Sequence, residues 1–149
     1  MTLYWYVLAL MASLAPSENA VYRHGRLASA IAIGLDAEAP LYSNDDSRHR
    51  TAALLVAVAY RESGLNPMAT GDNGRSFGAF QNHASSGGSP VLLEDTEQSV
   101  RRALSMLRQS IRIDRANPVS WYARGPRYQS EEARRISRDR VRLAEKLAR

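Results

Sequence analysis

Glu62 directly follows a long apolar run and stands just before a predicted helix stop. The run, residues 52–60, carries no charged side chain on any face, which is typical of a central helix covered on all sides. Gly64 and Pro67 predict the end of that helix, so Glu62 falls in its last turn. There the negative end of the helix dipole and removal from water both raise the pKa of a carboxyl group. A carboxylic acid that stays protonated near neutral pH can protonate the leaving oxygen of a glycosidic bond.

A less specific interpretation of Glu62 is open at this point. Carboxyl groups with strongly shifted pKa values are a minority of all carboxyl groups in proteins. Glu62 could instead be a surface glutamate at a helix end, either solvated or paired with the neighbouring Arg61. Such exposed pairs contribute little to stability.

Short motifs around Glu62 resemble those of soluble lytic transglycosylases and their goose-type lysozyme relatives. They lie between Thr51 and Tyr128, about half of the chain, and in chain order are Arg61-Glu62-Ser63, Asn66-Pro67, Ala69, Gly78-Ala79-Phe80-Gln81 and Trp121-Tyr122-Ala123-Arg124-Gly125-Pro126. The stretch Gly71-Asp72-Asn73-Gly74 is closer to the goose-type pattern, in which an aspartate precedes this turn. Both groups of enzymes cleave the glycan of bacterial peptidoglycan. The resemblance implies a mainly α-helical, lysozyme-like catalytic domain over residues 1–149, with a small β-hairpin beside the active-site cleft.

The resemblance also implies roles for individual residues. Glu62 would be the general acid that acts on the β-1,4 bond between N-acetylmuramic acid and N-acetylglucosamine. Ser63 and Gln81 would help to hold Glu62 and the substrate, although such residues are more often caps and loop contacts. Tyr122 would contact the acid or the sugar, and its alternative is a half-buried aromatic residue on a connecting segment.

Asp72 decides between two reactions. If its loop folds back over the cleft, Asp72 could orient or deprotonate a water on the face opposite Glu62, as in an inverting hydrolase. Without such a base, the C6 hydroxyl of the sugar closes on the anomeric carbon and gives the anhydro product of a lytic transglycosylase. Asp72 could equally be a turn residue that bonds its own backbone ahead of Asn73-Gly74. We favour hydrolysis over transglycosylation, and the presence of Asp72 is the only ground for this preference.

Several positions depart from the family pattern. Ala123 stands where those enzymes usually have asparagine, Ala79-Phe80 replaces the usual Leu-Met, and His83 falls where goose-type enzymes often carry a second acid. The loop from Glu62 to Gln81 is about one residue longer than in typical lytic transglycosylases. Each departure weakens a subsite assignment, and none removes the acid.

Composition limits the size, the cofactors and the partners of the protein. A chain of 149 residues is the size of one domain, so we expect a single domain and a monomer. Without cysteine it has neither disulfides nor thiolate metal sites, and its three histidines lack metal-binding spacing. We therefore expect no metal and no cofactor. The net charge of +5 favours a polyanionic partner, which could be a bacterial wall or nucleic acid.

A nucleic-acid- or wall-binding module without catalysis is the alternative from another class. Two arginine-rich segments, residues 101–112 and 134–142, could follow a phosphate backbone. Acidic residues interrupt the second segment, as on an ordinary solvated helix face, and nothing else resembles a base-reading element. Retention of both Glu62 and Gln81 argues against a silent wall-binding relative. We therefore expect peptidoglycan glycan strands as the partner and no nucleic acid.

Apolar periodicity predicts the helices of the first half of the chain. We expect a first helix that ends before Pro16 and a second that runs from an N-cap at Ser17 to Gly34. A polar segment at residues 41–47 then leads into the Glu62 helix.

Capping residues predict the elements of the second half. Asp95 with Gln98 indicates a helix that ends near Asp114, and the last helix should start at Ser130. That last helix is expected to bury Ala133, Ile136, Leu143 and Leu147. The only β structure that the pattern allows is a short hairpin at residues 70–81.

The apolar stretch at the start of the chain has two interpretations. Ser13-Leu14-Ala15 resembles a signal-peptide cleavage site, but no basic residue precedes the stretch, and about a dozen residues are too few to span a bilayer. We favour a first helix packed into the domain and expect no stable membrane insertion. The implied substrate lies in the periplasm or the extracellular cell wall, reached by export or by a phage holin or virion.

Overall fold

The computed structural model describes residues 2–43 and 46–149; Asn44 and Asp45, in the predicted polar segment, lie outside the described residues. The fold is mainly α-helical, as predicted, with 66% helix and a small three-stranded antiparallel sheet. The helices within the described residues are α1 Leu3–Leu14, α2 Ala20–Ala37, α3 Ser47–Ser63, α4 Val91–Glu94, α5 Thr96–Ile113, α6 Ser120–Arg124 and α7 Glu131–Leu147.

Helix α3 lies at the centre of the molecule. Its residues 51–59 are all buried, because α1, α2 and α7 pack around it. A helix surrounded in this way has no solvent side and therefore needs no polar face. The central helix predicted from the apolar run is confirmed.

The end of α3 is a sharp reversal directly beyond Glu62. Gly64 and Leu65 both adopt left-handed backbone conformations, with φ of 65° and 66°. The Gly64 N–H donates to the Tyr60 carbonyl at 2.9 Å, which closes the helix. A left-handed leucine costs about 1 kcal/mol, and burial of the Leu65 side chain offsets this cost. The reversal directs the chain from α3 towards the sheet.

The β structure is larger than the predicted hairpin at residues 70–81. Its strands pair antiparallel in chain order and are β1 Thr70–Gly71, β2 Ser76–Phe77 and β3 Asn82–His83. The hairpin prediction is wrong in extent, because a second tight turn follows β2. In this turn the Gln81 N–H donates to the Gly78 carbonyl at 3.1 Å, and both residues have positive φ. The turn brings the chain back beside β2 and adds the third strand.

Capping was predictable where the capping side chain has no competitor nearby. Asp95 accepts the Gln98 N–H at 2.9 Å at the start of α5, and that helix ends at Asp114 as expected. Ser130 accepts the Ala133 N–H at 3.1 Å at the start of α7. These predicted boundaries are confirmed.

Helix α2 extends past the predicted end at Gly34 to Ala37. It also starts later than predicted, so the assignment of Ser17 as its N-cap is wrong. Asn19 caps the helix instead, and its side chain accepts the Tyr22 N–H at 3.1 Å. Ser17 accepts the Asn19 N–H at 3.3 Å, in the turn before the helix. Serine and asparagine are equally good N-caps, and the local pattern could not choose between two of them spaced so closely.

The most buried positions of helix α7 are shifted around the helix from those predicted. Ala133 is buried as expected, but small residues, Ser137 and Ala144, are the other buried positions. The larger apolar side chains are only half-buried, namely Ile136, Leu143 and Leu147. Small side chains at these positions allow α7 to pack closely on α3 and α6.

Helix α1 packs against α2 and α3, as predicted for the first helix. Val7 and Met11 are fully buried, and the Nε2 atom of His24 lies 2.8 Å from the Ala15 carbonyl oxygen at the α1–α2 connection. In the part of the chain that the structure describes, no helix combines the length and the apolar character needed to cross a bilayer.

Candidate active site

A cavity of 770 Å³ opens beside the C-terminal end of α3; we call it the Glu62 cavity. Its walls come from the end of α3, the turn between β1 and β2, residues 81–86, and α6 with the turn that follows it. Four of the five predicted site residues line it, namely Glu62, Asp72, Gln81 and Tyr122. The tertiary structure thus brings together residues from three separate parts of the sequence.

The Glu62 carboxyl group is largely removed from water, with its side chain 27% exposed. Burial raises its pKa, and the negative charge of Asp72 acts in the same direction. The cations Arg140 and Arg124 lower it, but the net direction is upward. Glu62 therefore keeps its proton to a higher pH than a solvated glutamate does.

Arg140 of α7 lies close to the Glu62 carboxyl group. Its Nη2 lies 3.8 Å from the Glu62 Oε1, which is longer than an ordinary hydrogen bond. Its Nη1 donates to the Asp139 Oδ2 at 2.7 Å, and Arg61 reaches the same carboxylate oxygen at 3.1 Å. Because Asp139 balances much of this positive charge, Arg140 compensates the Glu62 carboxylate only in part.

Asp72 lies in the turn between β1 and β2, where Asp72 and Asn73 have positive φ of 51° and 56°. Its Oδ2 accepts the Ser76 hydroxyl at 2.5 Å, and Ser76 is buried. The positive φ values fit the interpretation of Asp72 as a turn residue. That interpretation also expected the Asp72 side chain to bond its own backbone, and here the side chain bonds the Ser76 hydroxyl. Ser76 holds the carboxylate at the cavity wall.

Gln81 joins the turn after β2 to the segment that precedes β1. Its Nε2 donates to the Gly78 carbonyl at 2.9 Å and to the Ala69 carbonyl at 3.2 Å. Gly71 is needed for this arrangement, because a Cβ atom there would collide with the Gln81 Oε1. The Gln81 side chain is therefore fixed along one wall of the Glu62 cavity.

Tyr122 ties α6 to the sheet. Its hydroxyl donates to the Phe80 carbonyl at 2.9 Å, and its backbone N–H donates to the Ser110 hydroxyl at 3.1 Å. Burial raises the pKa of the Tyr122 phenol well above its usual value, and the charge of Glu62 adds to the effect. The phenol stays protonated, and its oxygen remains able to accept a hydrogen bond from a ligand in the cavity.

Ser63 is the predicted site residue that does not line the cavity. Its hydroxyl lies 2.7 Å from the Ala79 carbonyl oxygen and 3.0 Å from the Ala59 carbonyl oxygen. It also accepts the Asn66 N–H at 3.1 Å. Ser63 thus joins the end of α3 to the turn after β2 and positions the backbone on both sides of Glu62.

The cavity also contains polar residues to which the sequence assigned no role in the site. Arg124 and Arg127 line the wall formed by α6 and the following turn, and Arg124 Nη2 donates to Glu132 at 2.9 Å. His83 lines the opposite part, where its Nδ1 accepts the Ser85 N–H at 3.0 Å. In the neutral ring this leaves the proton on Nε2, available as a donor. Arg124 lay within a recognised motif, whereas no local signal pointed to Arg140.

Among residues 2–43 and 46–149, no cluster of three or more histidine, aspartate or glutamate side chains is arranged to hold a metal ion. Comparison of the chain with protein-family models, curated proteins and solved structures finds no match. Interpretation of the Glu62 cavity therefore rests on its residues and their geometry.

Proposed function

We propose that the protein is a glycosidase that cleaves the β-1,4 bond between N-acetylmuramic acid and N-acetylglucosamine in peptidoglycan. The observation that carries this proposal is Glu62, a carboxyl group of raised pKa that shares its cavity with a second carboxyl group, Asp72. Most glycoside hydrolases use a pair of carboxyl groups, one as the acid and the other as the base or nucleophile. The mainly helical architecture, with a small sheet at the edge of the cavity, supports a lysozyme-like domain.

In the first step Glu62 acts as the general acid. It donates its proton to the bridging oxygen while the bond from that oxygen to the anomeric carbon breaks, and the leaving sugar departs as an alcohol. Positive charge develops on the ring oxygen and the anomeric carbon. The carboxylate of Asp72 stabilises this charge electrostatically.

In the second step Asp72 accepts a proton from a water molecule as the water oxygen bonds to the anomeric carbon. The product is a reducing sugar of inverted configuration. Glu62 is left ionised and Asp72 protonated, until solvent returns a proton to Glu62 and removes one from Asp72. The Ser76 hydroxyl, 2.5 Å from Asp72 Oδ2, keeps the base in place during this transfer.

Substrate binding falls to the polar walls of the cavity. The guanidinium groups of Arg124 and Arg127 suit the carboxylates of the peptide stems attached to muramic acid, because a planar guanidinium matches a carboxylate with two hydrogen bonds. Gln81 and Tyr122 line the wall that the sugar rings would contact. The site of action would be the periplasm or the extracellular wall, reached by export or by phage delivery.

A lytic transglycosylase is the second candidate, and the contact between Asp72 and Ser76 favours it. The Asp72 Oδ2 already accepts the Ser76 hydroxyl at 2.5 Å, so this oxygen has one lone pair fewer to offer to a water molecule. Glu62 would then first donate its proton to the leaving group and next accept one from the sugar's C6 hydroxyl. That hydroxyl oxygen bonds to the anomeric carbon and forms the anhydro ring.

Digestion of purified peptidoglycan, with mass spectrometry of the released muropeptides, tests both candidates. We would compare the wild type with Glu62→Gln, Asp72→Asn and a control, Glu97→Gln, which changes an exposed glutamate of α5. Reducing-end products that disappear in the Glu62 and Asp72 variants support the hydrolase. Anhydro products that require Glu62 but not Asp72 identify the transglycosylase. Absence of products from a folded wild type refutes the glycosidase proposal.

A further inference from the structure

Arg140, the cation next to Glu62, also lines a second concave surface. It encloses 720 Å³ between the end of α3 and one face of α7. We call it the basic groove, because a single carboxylate, Asp139, stands among six cations: Arg61, Arg135, Arg138, Arg140, Arg142 and Lys146. A concave surface lined by charges of one sign concentrates their potential and attracts oppositely charged ligands.

Most of these cations form no ion pair within the described part of the protein. Asp139 is engaged by Arg61 at 3.1 Å and by Arg140 at 2.7 Å. Within the described part of the chain, no ion pair forms at the other four cations of the groove, which are Arg135, Arg138, Arg142 and Lys146. On a solvated helix, basic residues usually alternate with acidic ones. Here the four cations share one face of α7 and one concave surface.

The spacing of these four cations indicates a linear ligand. They follow one another at intervals of three or four residues, which places them on one side of α7. With a rise of 1.5 Å per residue, the row from Arg135 to Lys146 extends over about 16 Å. A single small anion cannot contact all of them, whereas a chain that carries a charge at each repeat can.

We propose that the basic groove binds a linear phosphodiester polymer of the bacterial wall, a polyol phosphate chain. The wall as its source rests on the proposed function, while the phosphodiester chemistry rests on the groove alone. Arginine presents a planar fork that matches phosphate oxygens, and five of the six cations are arginines. The groove has the volume of a ligand pocket, and its single row of cations matches one chain of phosphates.

The position of the groove links this binding to the proposed catalysis. Arg140 belongs to the groove and also lies 3.8 Å from Glu62. A wall polymer held in the groove would therefore lie close to Glu62, at the end of α3. Such binding would retain the enzyme on the glycan strands to which the polymer is attached.

Binding of free poly(glycerol phosphate), measured by titration calorimetry over a range of salt concentrations, tests the proposal without any cleavage. The groove variant would be Arg138→Gln/Arg142→Gln. The control, Arg101→Gln/Arg112→Gln, removes the same charge from exposed positions of α5. We expect the groove variant to bind about tenfold more weakly or worse and to show a smaller salt dependence, since two phosphate contacts are lost. The control should bind within about twofold of the wild type.

Equal weakening in both variants would show a general charge effect and overturn the proposal, as would no binding by the wild type. Tighter binding of a single-stranded DNA of equal charge would also overturn it in favour of nucleic acid. The proposed function and the proposed polymer binding are tested separately. Polymer binding without release of muropeptides would refute the glycosidase and keep the groove, whereas release of muropeptides without polymer binding would do the reverse.

Discussion

Replacement of Arg140 with glutamine tests whether the protonation of Glu62 limits activity. The Arg140 Nη2 lies 3.8 Å from the Glu62 Oε1. At that separation Coulomb's law gives about 1 kcal/mol in bulk water and about 4 kcal/mol at an effective dielectric constant of 20. The two side chains are 17% and 27% exposed, so their interaction lies between these limits.

Loss of this interaction destabilises the ionised carboxylate, and the pKa of Glu62 rises further in the variant. A general acid is active in its protonated form, so activity falls as the pH rises through the pKa of Glu62. We expect the alkaline midpoint of kcat/KM to move upward by at least about half a pH unit, since about 1.4 kcal/mol corresponds to one unit. Arg140 thus narrows the pH range of the wild type.

The assay is the release of soluble muropeptides from purified wall as a function of pH. Arg134→Gln is the matched control, because Arg134 is exposed on the same helix and lines neither the Glu62 cavity nor the basic groove. Circular dichroism would verify that both variants are folded. A midpoint that stays in place or moves to lower pH in folded Arg140→Gln would refute the conclusion that Glu62 is the general acid and that Arg140 lowers its pKa.

Four further predictions concern Glu62 and the residues that build its cavity. Glu62→Gln should lower the rate of glycan cleavage by about 10²–10⁴-fold. Because the pKa of Glu62 is raised in the folded state, wild-type stability is highest below the unfolded pKa and is lost as the pH rises through the folded pKa. The difference in Tm, Glu62→Gln minus wild type, should therefore become more positive from about pH 4 to about pH 8. A difference that does not change with pH would contradict this. Gly71→Ala places a Cβ against Gln81 Oε1 and should cost about 1–3 kcal/mol in urea denaturation; unchanged stability would show that Gln81 moves freely. Tyr122→Phe deprives the Phe80 carbonyl of its donor and should cost about 1–3 kcal/mol, and equal stability of the two proteins would mean that water replaces the phenol.

The elements that depend on short stretches of sequence were largely predictable. The apolar run and Gly64 predicted the buried helix α3 and its end, and the structure has both. Asp95 and Ser130 predicted the starts of α5 and α7, since an N-cap acts on N–H groups only two or three residues away. Where two capping residues competed at the start of α2, the same local argument selected Ser17, which was wrong.

The third strand and the buried face of α7 were not predictable in the same way. Strand β3 exists because the turn at Gly78 and Gln81 places two-residue segments side by side, and such segments are too short to show periodicity. Ser137 and Ala144 are buried because α7 packs closely on its neighbours, a fit that depends on the surfaces of other helices. Hydrophobicity alone favoured the larger side chains instead.

The sequence by itself determined that Glu62 ends a buried helix and that Asp72 lies in a turn, because helix stops and turn conformations depend on adjacent residues. Only the tertiary structure decided that these two carboxyl groups share one cavity, and that Arg140 and Ser76 modulate them. The pKa of Glu62 is a sum of burial and charges contributed by distant parts of the chain, including Arg124 of α6 and Arg140 of α7. Electrostatic energy depends on distance in space and on exclusion of water, and neither follows from separation along the sequence.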